Sequence, residues 1–455
     1  MQNDFSEAKR FLETRLNFEQ QRSWTLDEFE ERLRTLKTFL QYCGSPDRSY
    51  KIIHIAGTKG KGSVCAYFEN ILHAAGYNTG CFTSPHLLSF LERWRTNCTI
   101  CSEDDFAAGM LYLKEQLEKA SAEIKTTPLL PDYFTYFEAG VLFAFLHFAA
   151  KKVDAVILET GLGGRLDATN ICEPCLTVIT GIGLEHTEQL GSTLAAIARE
   201  KAGIIKPAVD VVSGILDEEP QNLTRNIAKE RCVDFYQLGE AFEVIPQEDN
   251  NTFTFRTLEN SSAVIENLRP AMFGLHQQRN AALAVEGMHI LRQRGIFNIT
   301  DDNIRSGVAA ASLPARIEIV EQQGKPPLVF DGAHTKDSVH VLLETLEEKF
   351  PEKSITAIFG VSSGKDIGGI FDELLPKVSR LIFTQHSSST RRIIPQELYE
   401  FVQRNKAEHL PKCSVIPDCK AALESAVKNA AQDDLLCITG SLFLAAELSE
   451  EYQRR

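Results

Sequence analysis

No apolar run in this 455-residue chain approaches the roughly 20 residues that a membrane-spanning helix needs, so the sequence carries no sign of a bilayer partner. The first stretch, MQNDFSEAKRFLETRLNFEQ, also lacks the continuous apolar core of a secretory signal; charge alternates there with helical apolar spacing, and the cytosol is the expected compartment. A basic excess is missing too. Lysine and arginine number 48 against 62 aspartates and glutamates, a net charge of −14, which argues against a nucleic-acid partner because phosphate backbones are held by cationic excess. There is no internal repeat and no low-complexity tract. What remains is globular: 43% hydrophobic and 24% charged residues, at a length that suggests roughly two or three domains.

Eleven cysteines include two CxxC pairs, Cys98/Cys101 and Cys172/Cys175, which a zinc site would have to bring together as four thiolates. Each pair sits beside strand-like sequence, and scattered buried thiols are a common use of cysteine in a reducing compartment. Zinc is not expected.

From Lys51 onward, short runs rich in Val, Ile and Leu alternate with helical stretches, the pattern of an α/β protein with a parallel sheet. The strands read as KIIHIA (51–56), VDAVILE (153–159), CLTVIT (175–180) and VDVVSGIL (209–216). SVCAYFENILHAA, ending at Gly76, and FEAGVLFAFLHFAAKK read as helices between them. FEVIPQEDNNTFTFRTL reads as a hairpin turning at Asn250–Asn251. After QQRNAALAVEGMHILRQRG the rhythm pauses near Leu313–Pro314, then resumes with PLVFDGA, SITAIFGV, RLIFTQH and DLLCITG. The expected organisation is a larger parallel-sheet domain with N-terminal helices over residues 1–312 and a smaller Rossmann-like domain over 313–455.

Three clusters carry chemistry. HIAGTKGKGSVCAYF (54–68) departs from the usual P-loop, G-x-x-x-x-G-K-[ST]: Ile55 stands at the first glycine, and Gly62 separates Lys61 from Ser63. Its placement between a buried strand and a helix still converges backbone N–H groups and a positive helix end on one point, fit for a phosphate. Lys61 would reach the β- and γ-phosphates, with Gly60 and Gly62 allowing the tight turn; the alternative is a plain glycine turn. In ETGLGGRLDATN (159–170), Glu159 ends a buried strand on the side of the sheet where ligands bind. CLTVIT, followed by GIGLEH, brings His186 to the same rim, so Glu159, His186 and Ser84 of FTSPH could complete a magnesium shell with phosphate oxygens and water. Singly, a helix-capping Glu159, a loop His186 and a turn-forming Ser84 are equally open. Lys201, in AAIAREKAGIIKP, reads as a solvated surface lysine; a lysine neutralised near other cations can react as an amine and take up carbon dioxide as a carbamate, which the sequence alone does not suggest.

The series GTKGKGS, FTSPH, YFTYFEAG, ETGLGGRLDATN, GIGLEHTEQLGSTLAAIAREKAGIIKP, FGLHQQRNAALA, LPARIE, FDGAH and ITGSLFLAAE resembles the folylpolyglutamate synthase and dihydrofolate synthase family of the Mur-ligase superfamily, from residue 51 to about 447. The resemblance implies a P-loop ATP-binding domain followed by a glutamate ligase domain. By position, Gly60, Lys61, Gly62 and Ser63 resemble the triphosphate loop, and Ser84, Glu159 and His186 the magnesium ligands, while Lys201 matches the lysine carbamylated in relatives. Asn280, Arg316 and Asp331 resemble ATP contacts, and His334 belongs to the same nucleotide-facing motif, so Lys61, Lys201 and His334 form the implied catalytic set. Thr135, Tyr136, Phe137 and Glu138, with Leu166, Asp167 and Ala168, resemble the dihydropteroate-binding segments of bifunctional members. Lys59, Glu185, Thr335 and Gly364 depart from the family's usual residues, which bears on substrate preference more than on reaction class.

The implied reaction uses ATP and Mg2+ to turn a pterin-linked carboxylate into an acyl phosphate, which the amine of L-glutamate then converts to an amide. The second domain, with Arg316, Asp331 and His334, is expected to close on the nucleotide and exclude water. The implied partners are small molecules only: ATP, L-glutamate and dihydropteroate or a reduced folate, acting on a monomer. A Mur-type ligase for another carboxylate and a nucleotide-switched binding protein are the alternatives.

Overall fold

Lys51–Ala56 forms the strand around which the larger part of the molecule is arranged: after the exposed Lys51 every residue is buried, as in a strand covered on both faces. The computed structural model describes residues 2–15, 26–124, 134–249, 251–258, 263–387 and 392–453. In it this strand, β1, lies within an eight-stranded sheet with β2 (Thr79–Phe82), β3 (Trp94–Thr96), β4 (Thr99–Ile100), β5 (Ala155–Glu159), β6 (Leu176–Ile179), β7 (Val211–Ser213) and β8 (Phe235–Gln237). The order is β4-β3-β2-β5-β1-β6-β7-β8. All pairs are parallel except β2–β3 and β3–β4, so an antiparallel hairpin edges a parallel sheet. The chain leaves β1 toward β2 on one side and, after β5, crosses to β6 on the other. The loops at the C-terminal ends of β1, β5 and β6 therefore diverge and open a crevice, the place where α/β sheets bind ligands.

The main core lies where helices Glu103–Glu123 and Tyr136–Ala150 pack at the β2–β5 side. The second of these is apolar around its whole circumference because it is enclosed, with Val141 through Phe145 all buried. Phe143 meets Trp94 and Phe106 edge to face there, with Trp94 and Phe143 centroids 5.0 Å apart, while Trp94 and Phe106 are tilted at 35°. Helices Gln2–Glu13 and Leu26–Tyr42 add Ala8, Leu12, Leu36 and Phe39 to this core. Among the described residues no helix is long and apolar enough to cross a membrane.

A small antiparallel sheet follows, β9 (Phe242–Pro246), β10 (Phe253–Thr257) and β11 (Val264–Leu268), in the order β11-β10-β9. The first two strands are the expected hairpin; Asn250 lies outside the described residues, while Asn251 is buried and donates to the Pro270 carbonyl.

The chain packs as two units, Met1–Ala271 with His276–Ala311, and Met272–Leu275 with Ser312–Arg455. The sequence did not signal the short excursion Met272–Leu275, whose Phe273 ring lies 3.8 Å from Lys349 Nζ in the second unit. That unit holds a six-stranded sheet in the order β12-β13-β17-β14-β15-β16. Its strands are β12 (Glu318–Val320), β13 (Leu328–Phe330), β14 (Ser354–Phe359), β15 (Arg380–Gln385), β16 (Cys413–Asp418) and β17 (Asp434–Thr439). Only the β12–β13 pair is antiparallel. Both sheets give an α/β fold of mainly parallel strands, as the sequence indicated.

Phe143 is fully buried between Trp94 and Phe106. Phe143→Ala should cost about 3–5 kcal/mol through lost burial and the cavity left behind. Denaturant unfolding would read this as a lower midpoint with an unchanged slope; a loss under about 1 kcal/mol would mean that this core collapses around the gap.

Candidate active site

The turn after β1 is built by glycines in backbone conformations closed to other residues. Gly57 and Gly60 both have positive φ, and Gly60 is the N-cap of helix Lys61–Ala74. A Cβ at Gly60 would stand 2.6 Å from Asn280 Oδ1, so the side chain expected to contact ATP lies against the loop. Gly62 sits in the first helical turn without a positive φ, which corrects its expected part in the tight turn; Gly57 takes that part. Ser63 is buried in the same turn. The loop is laced to the chain leaving β6. Thr180 Oγ1 donates to the Lys59 carbonyl at 2.6 Å, and Thr58 Oγ1 both donates to the Gly183 carbonyl and accepts from its amide. Sequence reading singled out neither threonine, since nothing local marks a partner more than a hundred positions away.

Two lysines converge on one carbonyl. Lys61 Nζ donates to Gly57 O at 3.1 Å and Lys201 Nζ donates to the same oxygen at 2.8 Å. Lys201 is 3% exposed, which rules out the surface-lysine reading. Burial first, then the Lys61 charge, push its pKa from 10.5 down to about 7, against the opposing pull of Glu185 and Asp167. It ends helix Leu194–Lys201, which Thr193 caps by accepting from the Ala196 amide. The helix end can approach because a Cβ at Gly164 would come within 2.8 Å of the Lys201 carbonyl.

Glu159, at the end of β5, is buried, with Oε1 4.0 Å from Lys61 Nζ and Oε2 accepting from the Ser84 amide at 3.0 Å. The structure thus joins Ser84 to Glu159. His186 follows β6 in a left-handed conformation, its side chain 53% exposed and Nε2 3.7 Å from Glu185 Oε1. The Glu159 carboxylate and the Ser84 hydroxyl are oxygen donors that suit Mg2+, a hard cation that binds few protein groups and keeps waters and phosphate oxygens, whereas the His186 imidazole is a softer donor. Among the described residues no three His, Cys, Asp or Glu side chains form a ready metal cage.

Of the two segments singled out for substrate, the first reaches the glycine-rich loop that leads into the second through Phe137. Its ring atom Cζ lies 2.5 Å from where a Gly161 Cβ would stand. Tyr136 packs beside Arg93, whose Nε donates to His86 Nδ1. The two acidic residues of these segments, however, serve their own backbone. Glu138 accepts from the amide and hydroxyl of Thr135, the N-cap of helix Tyr136–Ala150, and forms a buried ion pair with Arg32. Asp167 Oδ2 accepts from the Gly161 and Leu162 amides, and Oδ1 from the amide and hydroxyl of Thr169. It caps the short turn Ala168–Ile171. Leu166 is half-buried and Ala168 buried beside it.

In the second unit, LPARIE is strained. Ala315 and Ile317, on either side of Arg316, have φ of 57° and 48°, a left-handed conformation that a β-branched residue rarely adopts. Asp331, directly after β13, holds it: Oδ2 accepts from the Ile317 amide at 2.9 Å and Oδ1 from Ala333 at 2.8 Å. Burial raises the Asp331 pKa, with the Arg316 charge opposing. His334 Nδ1 lies 2.7 Å from the Gly332 carbonyl and must donate to it, which places the ring proton on that nitrogen.

Residues 107–287 match the Mur ligase middle domain and 315–442 the Mur ligase glutamate ligase domain. A dihydrofolate synthase/folylpolyglutamate synthase from Bacillus subtilis (strain 168) is 32% identical over 423 residues, covering 91% of this chain and 94% of the relative. The crystallised E. coli FolC in complex with DHPP and ADP is 28% identical, covers 99% of this chain and 98% of its own, and superposes with a TM-score of 0.79. Mycobacterium tuberculosis folylpolyglutamate synthase complexed with ADP is 25% identical, at 100% and 99% coverage and a TM-score of 0.84.

Two predictions follow from the geometry. Removing Glu138 strands the buried Arg32 charge, so Glu138→Ala should cost about 3–5 kcal/mol, and an unchanged melting temperature would contradict the pairing. Lys201 has the opposite sign. Below pH 7 folded and unfolded chains both hold its proton, and the fold bears the full burden of a buried cation. Between pH 7 and 10.5 the folded chain releases the proton first, and stability rises with pH. The stability difference between wild type and Lys201→Met should therefore change over that window by at most about 1.4 kcal/mol per pH unit, and a flat difference would refute the depressed pKa.

Proposed function

The chain belongs to the dihydrofolate synthase/folylpolyglutamate synthase family, and from that premise we propose that it adds L-glutamate, at the expense of ATP, to dihydropteroate and to reduced folates. It is an ATP-dependent ligase of the Mur type. The observation that carries the reading is the cluster at the end of β1, where Lys61, Lys201 and Glu159 surround the Gly57–Gly60 turn at a helix N-terminus.

A carboxylate resists attack by an amine because it is anionic and has no leaving group. In the proposed first step a carboxylate oxygen attacks the γ-phosphorus of ATP, the bond to the β-phosphate oxygen breaks, and an acyl phosphate and ADP result. The glutamate amine then attacks the acyl carbon, inorganic phosphate departs with the bonding pair, and the amine loses a proton. Lys61 supplies a cation where charge accumulates on the transferred phosphoryl, and the helix N-terminus orients amides toward it. Asn280 lies against the loop and is assigned to the nucleotide. Ser84, Glu159 and His186 would hold Mg2+, which supplies charge neutralisation on the phosphate oxygens. Lys201, close to neutral near pH 7, can add its amine to carbon dioxide, forming an N–C bond and releasing one proton, so that a carboxylate joins the same group of ligands.

The resemblance assigns Arg316, Asp331 and His334 to the nucleotide as well, and the strained backbone around Arg316 supports a ligand-contacting role. Thr135–Glu138 and Leu166–Ala168 are assigned to the pterin-bearing substrate, with Glu138 and Asp167 shaping those segments.

ADP release should require both a carboxylate substrate and glutamate, with dihydropteroate and tetrahydrofolate each accepted when offered alone. Lys61→Ala should lower kcat at least about 100-fold with no loss of thermal stability by circular dichroism. Near-normal turnover in that variant would remove the phosphate-loop assignment, and failure with dihydropteroate alone would leave a purely polyglutamylating ligase.

A further inference from the structure

Beneath the ETGLGGRLDATN loop four buried side chains form a continuous polar line. Cys172 Sγ lies 3.7 Å from His54 Nδ1, His54 Nε2 2.8 Å from Thr169 Oγ1, and Thr169 Oγ1 2.6 Å from Asp167 Oδ1. Cys172, His54 and Thr169 are wholly buried and Asp167 nearly so. Hydrogen-bond chemistry fixes the direction. An ionised carboxylate only accepts, so the Thr169 hydroxyl donates to Asp167 and its oxygen must accept from His54. The proton then sits on His54 Nε2, and bare Nδ1 accepts from the Cys172 thiol. Burial pushes the His54 pKa down to about 3, which agrees with a neutral ring.

His54 is on β1, in the middle of the sheet, paired with Leu158 of β5 and Thr177 of β6. The far end of the line, Asp167, gathers the Gly161 and Leu162 amides with its other oxygen. An apolar side chain at position 54 would fill the space, but it would give Thr169 no donor. The polar line transmits the position of a rigid strand to a loop that has no regular structure of its own.

We propose that His54 is a positioning residue which, through Thr169 and Asp167, fixes the Gly161–Ala168 loop and thereby sets affinity for the carboxylate substrate, touching neither that substrate nor ATP. The proposal rests on the reading of Leu166–Ala168 as a substrate segment. The phosphate loop, although it follows β1, is held by a separate set of bonds from Thr58, Thr180 and Lys201, so nucleotide affinity is not carried by this line.

The test is steady-state kinetics on the full chain, with whichever of dihydropteroate and tetrahydrofolate it glutamylates, for His54→Leu, His54→Gln, Thr169→Val and Asp167→Asn. His54→Leu and Thr169→Val should each raise KM for the carboxylate substrate about tenfold, the equivalent of one lost buried hydrogen bond, while KM for ATP stays within about twofold. In His54→Gln the amide can donate toward Thr169 as Nε2 does, and most of the affinity should return. Equal rises in both KM values, or no rescue by glutamine, would make His54 a packing residue and overturn the proposal. Should His54→Leu fail to fold, Thr169→Val, which breaks the same line away from the sheet, decides in its place. Asp167→Asn separates the two levels: if it leaves KM for the carboxylate substrate unchanged, the substrate reading of the loop falls and the proposal with it. If it raises that KM while His54→Leu and Thr169→Val do not, only the role of His54 falls.

Discussion

The contact on which the site depends is that of two lysine amino groups with one carbonyl oxygen, Gly57 O. Lys61 and Lys201 reach it from different distances along the chain, one from the helix that begins in the loop and the other from the end of a helix much later. Two like charges in a partly dry place repel far more strongly than in water. Glu159 Oε1, at 4.0 Å from Lys61, offsets only part of that repulsion. Burial first, and that remaining repulsion second, depress the pKa of Lys201. A polyanion arriving at the loop relieves the repulsion, so the ligand-free fold stores electrostatic energy that binding releases.

The surroundings keep that arrangement in place. Thr58 and Thr180 tie the loop to the chain leaving β6, the same stretch that carries Glu185 and His186. Gly164 admits the end of the Lys201 helix, and the Arg165 amide donates to the Glu200 carbonyl at 2.7 Å. Charge, metal-ligating groups and loop geometry are thus coupled through short backbone contacts at the ends of β1, β5 and β6, where the strand order reverses.

How much of this the sequence discloses depends on the range of the signal. β1, β5 and β6 were legible because a strand buried on both faces is a continuous apolar run, and the helix after the loop because its apolar spacing ends at a glycine. β16 was not, because CSVIPD lies at the sheet edge, carries a proline and is largely exposed. The β3–β4 hairpin was hidden behind a CxxC spelling: Asn97 and Cys98 both adopt positive φ, the conformation of a two-residue turn, with cysteine where glycine is usual. Lys61 and Glu159 could be picked out by their places at strand ends. The buried state of Lys201 could not, since its helix has an ordinary mixed composition and only the packing of Gly164 and the phosphate loop encloses it.

The same limit of range applies to the acidic residues of the substrate-associated segments. A carboxylate has about four lone-pair positions. Around Asp167 four donors already occupy them, all from residues 161–169, and around Glu138 four more come from Thr135 and the distant Arg32. Neither carboxylate retains the capacity for a strong bond to a ligand without breaking one of its own. The sequence could show that an aspartate follows a glycine-rich loop, but not that the loop itself would saturate it. Recognition by these segments therefore rests on what the carboxylates position: the backbone of the Gly161–Ala168 loop, the Phe137 ring set against Gly161, and Tyr136 beside Arg93. Specificity in such a site is stored in the shape of a loop, and the residues that hold the shape lie one layer beneath the surface that a ligand meets.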